Sequence, residues 1–271
     1  MSLPYVEPPA LPISIPIHIF GVIAAVGIAI GATLMHRYAR RAGESAIDSR
    51  SVAAWVTVTG LIGAHVFDVL FYRPSEVLEN PLTLLAIWES ISSYGGFIGG
   101  ALGFAYIVWR RKLRFARWAD ITMVGLLVAF SVGRGGCTVV HDHIGAPTSS
   151  FIGVDYPRQA LAEHGVLSQM DSDAPVIRAH NLGFEELLYL LPVNALVLWL
   201  AFRRRRLPPG AIAVIAAVLY APVRFGLEHW RLTSTDPPYG GLTFAQWCSI
   251  GVFVVALGFG ARIAIARKEL E

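Results

Sequence analysis

Charge is scarce in this 271-residue chain. Asp, Glu, Lys and Arg make up 15% of it, apolar residues reach 55%, and the mean hydropathy is +0.56. A soluble domain carries about 25% charged residues, so the composition excludes that class and suits a polytopic helical membrane protein. Cysteine is almost missing: two residues, Cys137 and Cys248, cannot build a disulfide framework. H-E-x-x-H, the strong two-histidine zinc signature, does not occur. Internal repeats, heptad arrays, low-complexity tracts and linkers to a soluble domain are also lacking, and the lack of repeat halves argues against a transporter. Met1–Ser14 holds no basic residue, so the charged n-region of a cleaved signal peptide is not expected there.

What is present is a series of long apolar runs. About 20 apolar residues cross a hydrocarbon core. Seven candidate spans fall near 15–36, 52–71, 94–109, 118–135, 183–202, 210–230 and 243–266. Pro81–Ser90 is too short to span and reads as an interfacial or re-entrant piece. Most of the 22 Lys and Arg residues lie in alternate connections: Arg37 to Arg50, Arg110 to Arg117, Arg203 to Arg206, and Arg262 to Lys268. The positive-inside rule places these in the cytoplasm, with the N-terminus outside and the C-terminus inside. The expected fold is therefore an all-α integral membrane protein of seven transmembrane helices, a single polytopic domain over 1–271. The basic runs mark topology and contacts with anionic membrane lipids, so a nucleic-acid partner is not expected despite a pI near 9.0. The longest extramembrane segment, about 136–181, is predicted to carry short helices or a small cap on the outer side.

Arg134 follows the fourth apolar run, in Gly133-Arg134-Gly135-Gly136-Cys137, with His141, Asp142 and His143 close behind. A guanidinium at mid-bilayer costs roughly 2.5–3.5 kcal/mol on insertion scales, so it needs a watery cavity, a carboxylate or an anionic ligand. On the expected topology the other ionisable groups sort to the same leaflet: His18, His65, Asp68, His180, Glu185, Glu186, Arg224, Glu228, His229 and Arg231. One outward-facing polar cavity explains that sorting. Arg224 and Glu228 share a helix face at i, i+4 spacing, so Glu228 is expected to orient the Arg224 fork. Arg134 and Arg224, converging from separate spans, would form a bidentate clamp for a phosphate, and a phospholipid head group is the available anion. The glycines Gly95, Gly96, Gly99, Gly100 and Gly103 either admit a lipid between helices or pack helices closely. Cys137, His141, Asp142 and His143 fit no standard zinc spacing, so no metal is expected; acid–base work by Asp142 or a neighbouring histidine suits them better.

The ordered set of motifs resembles the prolipoprotein diacylglyceryl transferase family over nearly the whole chain. His18-Ile19-Phe20-Gly21 is similar to its H-x-Y-G, Val69-Leu70-Phe71-Tyr72 to the end of its second span, and Tyr94-Gly95-Gly96-Phe97-Ile98-Gly99 to its H-G-G-L-x-G. Gly133-Arg134-x-Gly136 with Asp142 and Gly145 resembles G-R-x-G-N-F-x-N-x-E-x-x-G, and Leu182-Gly183-Phe184-Glu185 its L-Y-E segment. Tyr220 to Glu228 resembles R-F-x-x-E with its flank, and Gly241-Leu242-Thr243-x-x-Gln246 the following G-L-T-x-x-Q.

The resemblance implies an inner-membrane enzyme with its active site facing the periplasm. Such an enzyme moves a diacylglyceryl group from phosphatidylglycerol to the lipobox cysteine of a preprolipoprotein. A thioether forms and glycerol 1-phosphate leaves, without metal or organic cofactor. Arg134 and Arg224 would hold the phosphate, Glu228 would position Arg224, and Asp142 would stand where the signature has glutamate. Tyr94, Gly95, Gly96 and His65 would contribute to substrate binding. The chain departs from the family pattern at Tyr94, where the family has histidine, and at Phe20, His65, Cys137 and Val140; His141 and His143 are additions. Proton abstraction is therefore expected from His141 or His143 beside Asp142. A lipid transferase with another acceptor, or an inactive lipid-binding scaffold, is the alternative.

Overall fold

A computed structural model describes residues 3–8, 19–86, 92–170, 172–203, 207–232 and 238–268, with side chains described up to 266. His18, Arg204 to Arg206, and residues 87–90 of the expected interfacial piece lie outside the described residues. Six helices among them are long and apolar enough to cross a membrane: α1 (Ile19–Arg41), α2 (Ala46–Tyr72), α5 (Phe115–Val140), α7 (Leu182–Phe202), the stretch Ala211–Trp230 led by α8 (Ala211–Leu227), and α9 (Phe244–Lys268). The chain is an all-α integral membrane protein; six of the seven expected spans are confirmed among the described residues. The third expected span does form a helix, α4 (Ser93–Arg110), yet its five glycines and terminal arginine dilute its hydropathy. Pro74–Glu79 (α3) and a 3₁₀ turn at Pro81–Leu85 precede it.

The chain divides into two compact units, one of residues 32–125 and one of residues 1–31 with 126–271. In the 32–125 unit, α2 and α4 pack along a stripe of small residues. A Cβ on Gly63 would lie 2.5 Å from the Gly95 carbonyl oxygen, and one on Gly99 would run into the backbone of Thr59. The stripe therefore brings two backbones into contact, as small-xxx-small spacing permits. Ser45 caps α2, accepting from the N–H groups of Ile47 and Asp48. Arg111–Asp48 (2.8 Å) and Arg114–Glu44 (2.6 Å) tie the two turns at one end of this unit.

In the other unit, α7 packs on α8 and α8 on α9. Tyr189 donates to the Leu219 carbonyl (2.8 Å), linking α7 to α8, and Asn194 donates to Ser131 (2.6 Å), linking α7 to α5. Interhelical hydrogen bonds of this kind stabilise helices for which lipid supplies no hydrophobic drive. The segment after α5 forms a small sheet with the chain's first residues. Its strands are β1 (Leu3–Pro4), β2 (Ile144–Pro147), β3 (Val154–Pro157) and β4 (Val176–Asn181), in the order β1-β3-β4-β2. β1 runs parallel to β3, while β4 is antiparallel to both β3 and β2. Ile144, Val154, Tyr156, Leu161, Ile177 and Ala179 form its core, with the short helix α6 (Arg158–Glu163) supplying Leu161. The expected cap is thus mainly a sheet. β3 carries Val154 and Tyr156 at alternate buried positions, the pattern of a half-buried pleated surface.

Candidate active site

α5 runs through to Val140, past the expected end of the span near 135, so Arg134 sits well inside the helix. Helical continuity changes the meaning of the neighbouring glycines. Gly136 packs against Phe20, where a Cβ would come to 3.0 Å, so it serves close contact with α1. The Arg134 side chain is buried, 5% exposed, and its Nε lies 3.0 Å from Oε2 of Glu186, which is 4% exposed. Nε–H is not aligned for a hydrogen bond to that oxygen and has no other partner, so this is an ion pair by proximity. Arg134 Nη1 faces Cys137 Sγ (3.7 Å) and His143 Nε2 (3.4 Å), and the guanidinium lies 4.9 Å over the Phe130 ring. Glu186 also accepts a 2.5 Å hydrogen bond from the Tyr220 hydroxyl.

Arg224 comes from α8, one turn before Glu228. Its Nη1 is 2.5 Å from Oε2 of a Glu228 side chain that is fully buried, and Arg231 Nη1 stands 4.0 Å from the same oxygen. Oε1 of Glu228 has no hydrogen-bond partner among the described residues. The i, i+4 spacing thus does hold Arg224 against a carboxylate. Arg134 pairs directly with Glu186, and Arg224 interacts electrostatically with the same carboxylate and with Arg134, so the two guanidinium groups share one buried charged network.

Beyond α5 the backbone turns sharply. His141 has φ +52°, a left-handed conformation that is uncommon outside glycine. Its ring nitrogens are both engaged. Nε2 lies 3.1 Å from the Val6 carbonyl, which can only accept, so Nε2 carries the hydrogen. Nδ1 then accepts from Asn181 Nδ2 (3.1 Å) and the Tyr156 hydroxyl (3.1 Å), and the ring packs against Tyr5 and Tyr156. Burial lowers its pKa, against a smaller opposing effect of the Val6 hydrogen bond. His141 is a pillar of the cap, and this geometry corrects its expected place among the acid–base groups.

His143 is arranged differently. Its Nδ1 donates to the Asp142 carboxylate, which leaves the Nε2 lone pair facing Arg134. Burial lowers the His143 pKa more than Asp142 raises it, and the Arg134 charge adds to the lowering. For Asp142, burial acts upward, but the hydrogen bond and charge of His143 and the Arg134 charge outweigh it and hold the carboxyl below its usual range. The Cys137 thiol hydrogen-bonds the same carboxylate. Cys137, Asp142 and His143 offer ligand atoms within 4.8 Å of one another, but Arg134 occupies the adjoining space, where a cation would be repelled. A cavity of about 60 Å³ beside Asp142 and His143 is lined also by His164, Leu182 and Arg231.

The remaining expected site residues belong to the 32–125 unit. His65 is fully buried and its Nε2 is 3.0 Å from the Thr83 carbonyl, anchoring the 3₁₀ turn. Tyr94 is half-buried, its ring 6.5 Å from that of Phe67. Gly95 is a packing residue: a Cβ there would collide with the Gly63 carbonyl and with Phe67, so close helix contact, not substrate access, explains this glycine. Gly96 is not squeezed; its nearest neighbour would be Ala64 Cβ at 3.7 Å.

The sequence model of the Prolipoprotein diacylglyceryl transferase family matches residues 8–262. The chain belongs to this family. A relative from Symbiobacterium thermophilum, a phosphatidylglycerol–prolipoprotein diacylglyceryl transferase, is 28% identical over 94% of this chain and 92% of its own length. The transferase of Roseobacter denitrificans is 26% identical over 88% and 87% of the two chains, and transferase 2 of Streptomyces coelicolor is 28% identical over 88% and 71%. Family motifs draw attention to Arg134, Arg224 and Glu228, but the reading from motifs left Glu186 and Tyr220 outside the site. One signal did point to Glu186. Adjacent residues on a helix diverge by about 100°, so the pair Glu185–Glu186 had to face two partners. Glu185 takes His180 (2.6 Å), which stacks on Trp230, and Glu186 takes Arg134, which has no carboxylate one helical turn away.

Proposed function

We propose that this protein transfers the diacylglyceryl group of phosphatidylglycerol to the lipobox cysteine thiol of a preprolipoprotein, at the periplasmic side of the bacterial inner membrane. The observation that carries this reading is a pair of intramembrane arginines on separate helices, Arg134 of α5 and Arg224 of α8, each held on a buried carboxylate of the same bundle, Glu186 and Glu228. Two forks meeting in a low-dielectric bundle suit a phosphodiester, whose charge grows as the ester bond breaks. His143 Nε2 takes the thiol proton, with Asp142 fixing the tautomer and stabilising the imidazolium. The thiolate sulfur bonds to the glycerol carbon that bears the phosphate, and the C–O electron pair leaves on glycerol 1-phosphate, held by Arg134 and Arg224. Glu228 keeps the Arg224 fork oriented. No metal or organic cofactor takes part. The basic connections lie in the cytoplasm.

Complementation tests the reading. In cells depleted of their own transferase, the chain should restore lipoprotein lipidation, and membranes given head-group-labelled phosphatidylglycerol should release glycerol phosphate. Release without lipoprotein lipidation would assign a different acceptor; neither event would overturn the enzymatic reading.

A further inference from the structure

We infer that Glu186 is an internal anion that occupies the arginine clamp between turnovers and takes up a proton when the lipid phosphate replaces it. The inference rests on the reading of Arg134 and Arg224 as a phosphate clamp, and it concerns a carboxylate to which that reading gives no part in the chemistry. Three elements face Glu186. Arg134 approaches from α5, Tyr220 and Arg224 from α8, and His143 from the cap. With Glu228 between Arg224 and Arg231, and Asp142 against His143, three guanidinium groups face three carboxylates, so the network is balanced before any ligand enters. A phosphodiester brings a further negative charge to the same guanidinium groups. In a buried site two like charges sharing partners do not both stay ionised, and one of them takes a proton. The weaker acid is the carboxyl, so the proton goes to Glu186.

The geometry shows that the internal anion does not saturate the clamp. Arg134 Nε is buried without a hydrogen-bond partner although Glu186 stands 3.0 Å away, and Glu228 Oε1 is also unpartnered. A misaligned pair leaves donor capacity for a tetrahedral oxyanion that can reach Nε–H. The Tyr220 hydroxyl, 2.5 Å from Glu186 Oε1, keeps the carboxyl in place as its charge changes. When the C–O bond breaks, the departing phosphate gains a second charge. The Glu186 proton passes to it, giving the monoanion, and the carboxylate regenerated there competes for the arginines and expels the product. Glu186 is thus a positioning residue between turnovers and a proton donor to the leaving group.

Proton uptake on lipid binding is the decisive measurement. Short-chain phosphatidylglycerol is titrated calorimetrically into detergent-solubilised protein near neutral pH, in two buffers of different ionisation enthalpy. Wild type should take up about one proton per lipid bound, Glu186→Asp should retain the uptake, and Glu186→Gln should lose it. Glu186→Gln should also bind the lipid and glycerol 1-phosphate at least about fivefold more tightly, because the competing charge is gone. Equal uptake in wild type and Glu186→Gln, or none in wild type, overturns the inference and leaves the clamp standing. Failure of wild type to bind phosphatidylglycerol would instead remove the clamp itself, and this inference with it. Should Glu186→Gln not fold, infrared difference spectra of wild type decide the matter. A protonated-carboxyl carbonyl band appearing with lipid, and shifted in Glu186→Asp, supports the exchange; its absence rules it out.

Discussion

Replacing Arg134 by alanine should separate the two things its side chain does. The guanidinium neutralises Glu186, which is 4% exposed, and its removal leaves that carboxylate buried with Tyr220 and a more distant Arg224. Breaking one partner out of a buried pair costs about 3–5 kcal/mol, whereas replacing both by neutral groups is often close to neutral. Because Arg224 still acts on Glu186, the lower end applies, about 3 kcal/mol. Arg134→Ala should therefore unfold at clearly lower temperature in detergent, and Arg134→Ala/Glu186→Gln should recover most of that loss. Activity should not recover. The double variant still lacks one arm of the clamp, and release of labelled glycerol phosphate should stay at background in both. Thermal unfolding and head-group release, measured on the same preparations, give the two readouts. If the double variant were no more stable than the single, the buried pair would not be coupled as the geometry indicates. If either variant turned over at the wild-type rate, the clamp would be wrong.

Three further outcomes follow from other parts of the molecule. His143→Ala should lower turnover by about 10²–10⁴-fold, the range for loss of a general base, whereas His141→Ala should loosen the cap, as seen in faster amide exchange over β3 and β4, and affect chemistry less. Burial lowers the pKa of both His141 and His143 in the folded state, so the unfolded chain binds more protons below the ordinary value of 6.5. Cap stability should be full above pH 6.5 and decline as pH falls toward the folded values, which exchange rates at pH 7 and pH 5 will check; pH-independent exchange stability would count against it. Gly95→Val should splay α2 from α4 and abolish accumulation of folded protein, because the Cβ meets backbone, while Gly96→Ala should accumulate normally.

Much of the architecture is legible from local pattern. Apolar run length places the membrane helices to within a few residues, because lipid demands a continuous hydrogen-bonded apolar helix of that length. It is least decisive at α4, where five glycines and a terminal arginine dilute the hydropathy of a continuous helix and the seventh span is not confirmed. Arg224 and Glu228 are legible for the same local reason: residues four apart on a helix are neighbours whatever surrounds them. The expected end of the fourth span near 135 comes too early because glycine and polar residues resemble a helix end, yet packing of Gly136 on Phe20 and of Gly183 on Cys137 carries α5 onward to Val140.

Sequence by itself thus determined the membrane class, the helical segments, the family and the presence of two intramembrane arginines. Tertiary structure alone decided what those arginines face. Arg134 meets Glu186 from another helix, and His141 meets the Val6 carbonyl 135 positions away in the chain. Local periodicity governs neighbours within about one helical turn, whereas a buried charge or ring nitrogen is satisfied by whichever group packing brings to it. For that reason two histidines two residues apart diverge: His141 has both nitrogens tied into the cap, and His143 keeps one lone pair turned toward Arg134.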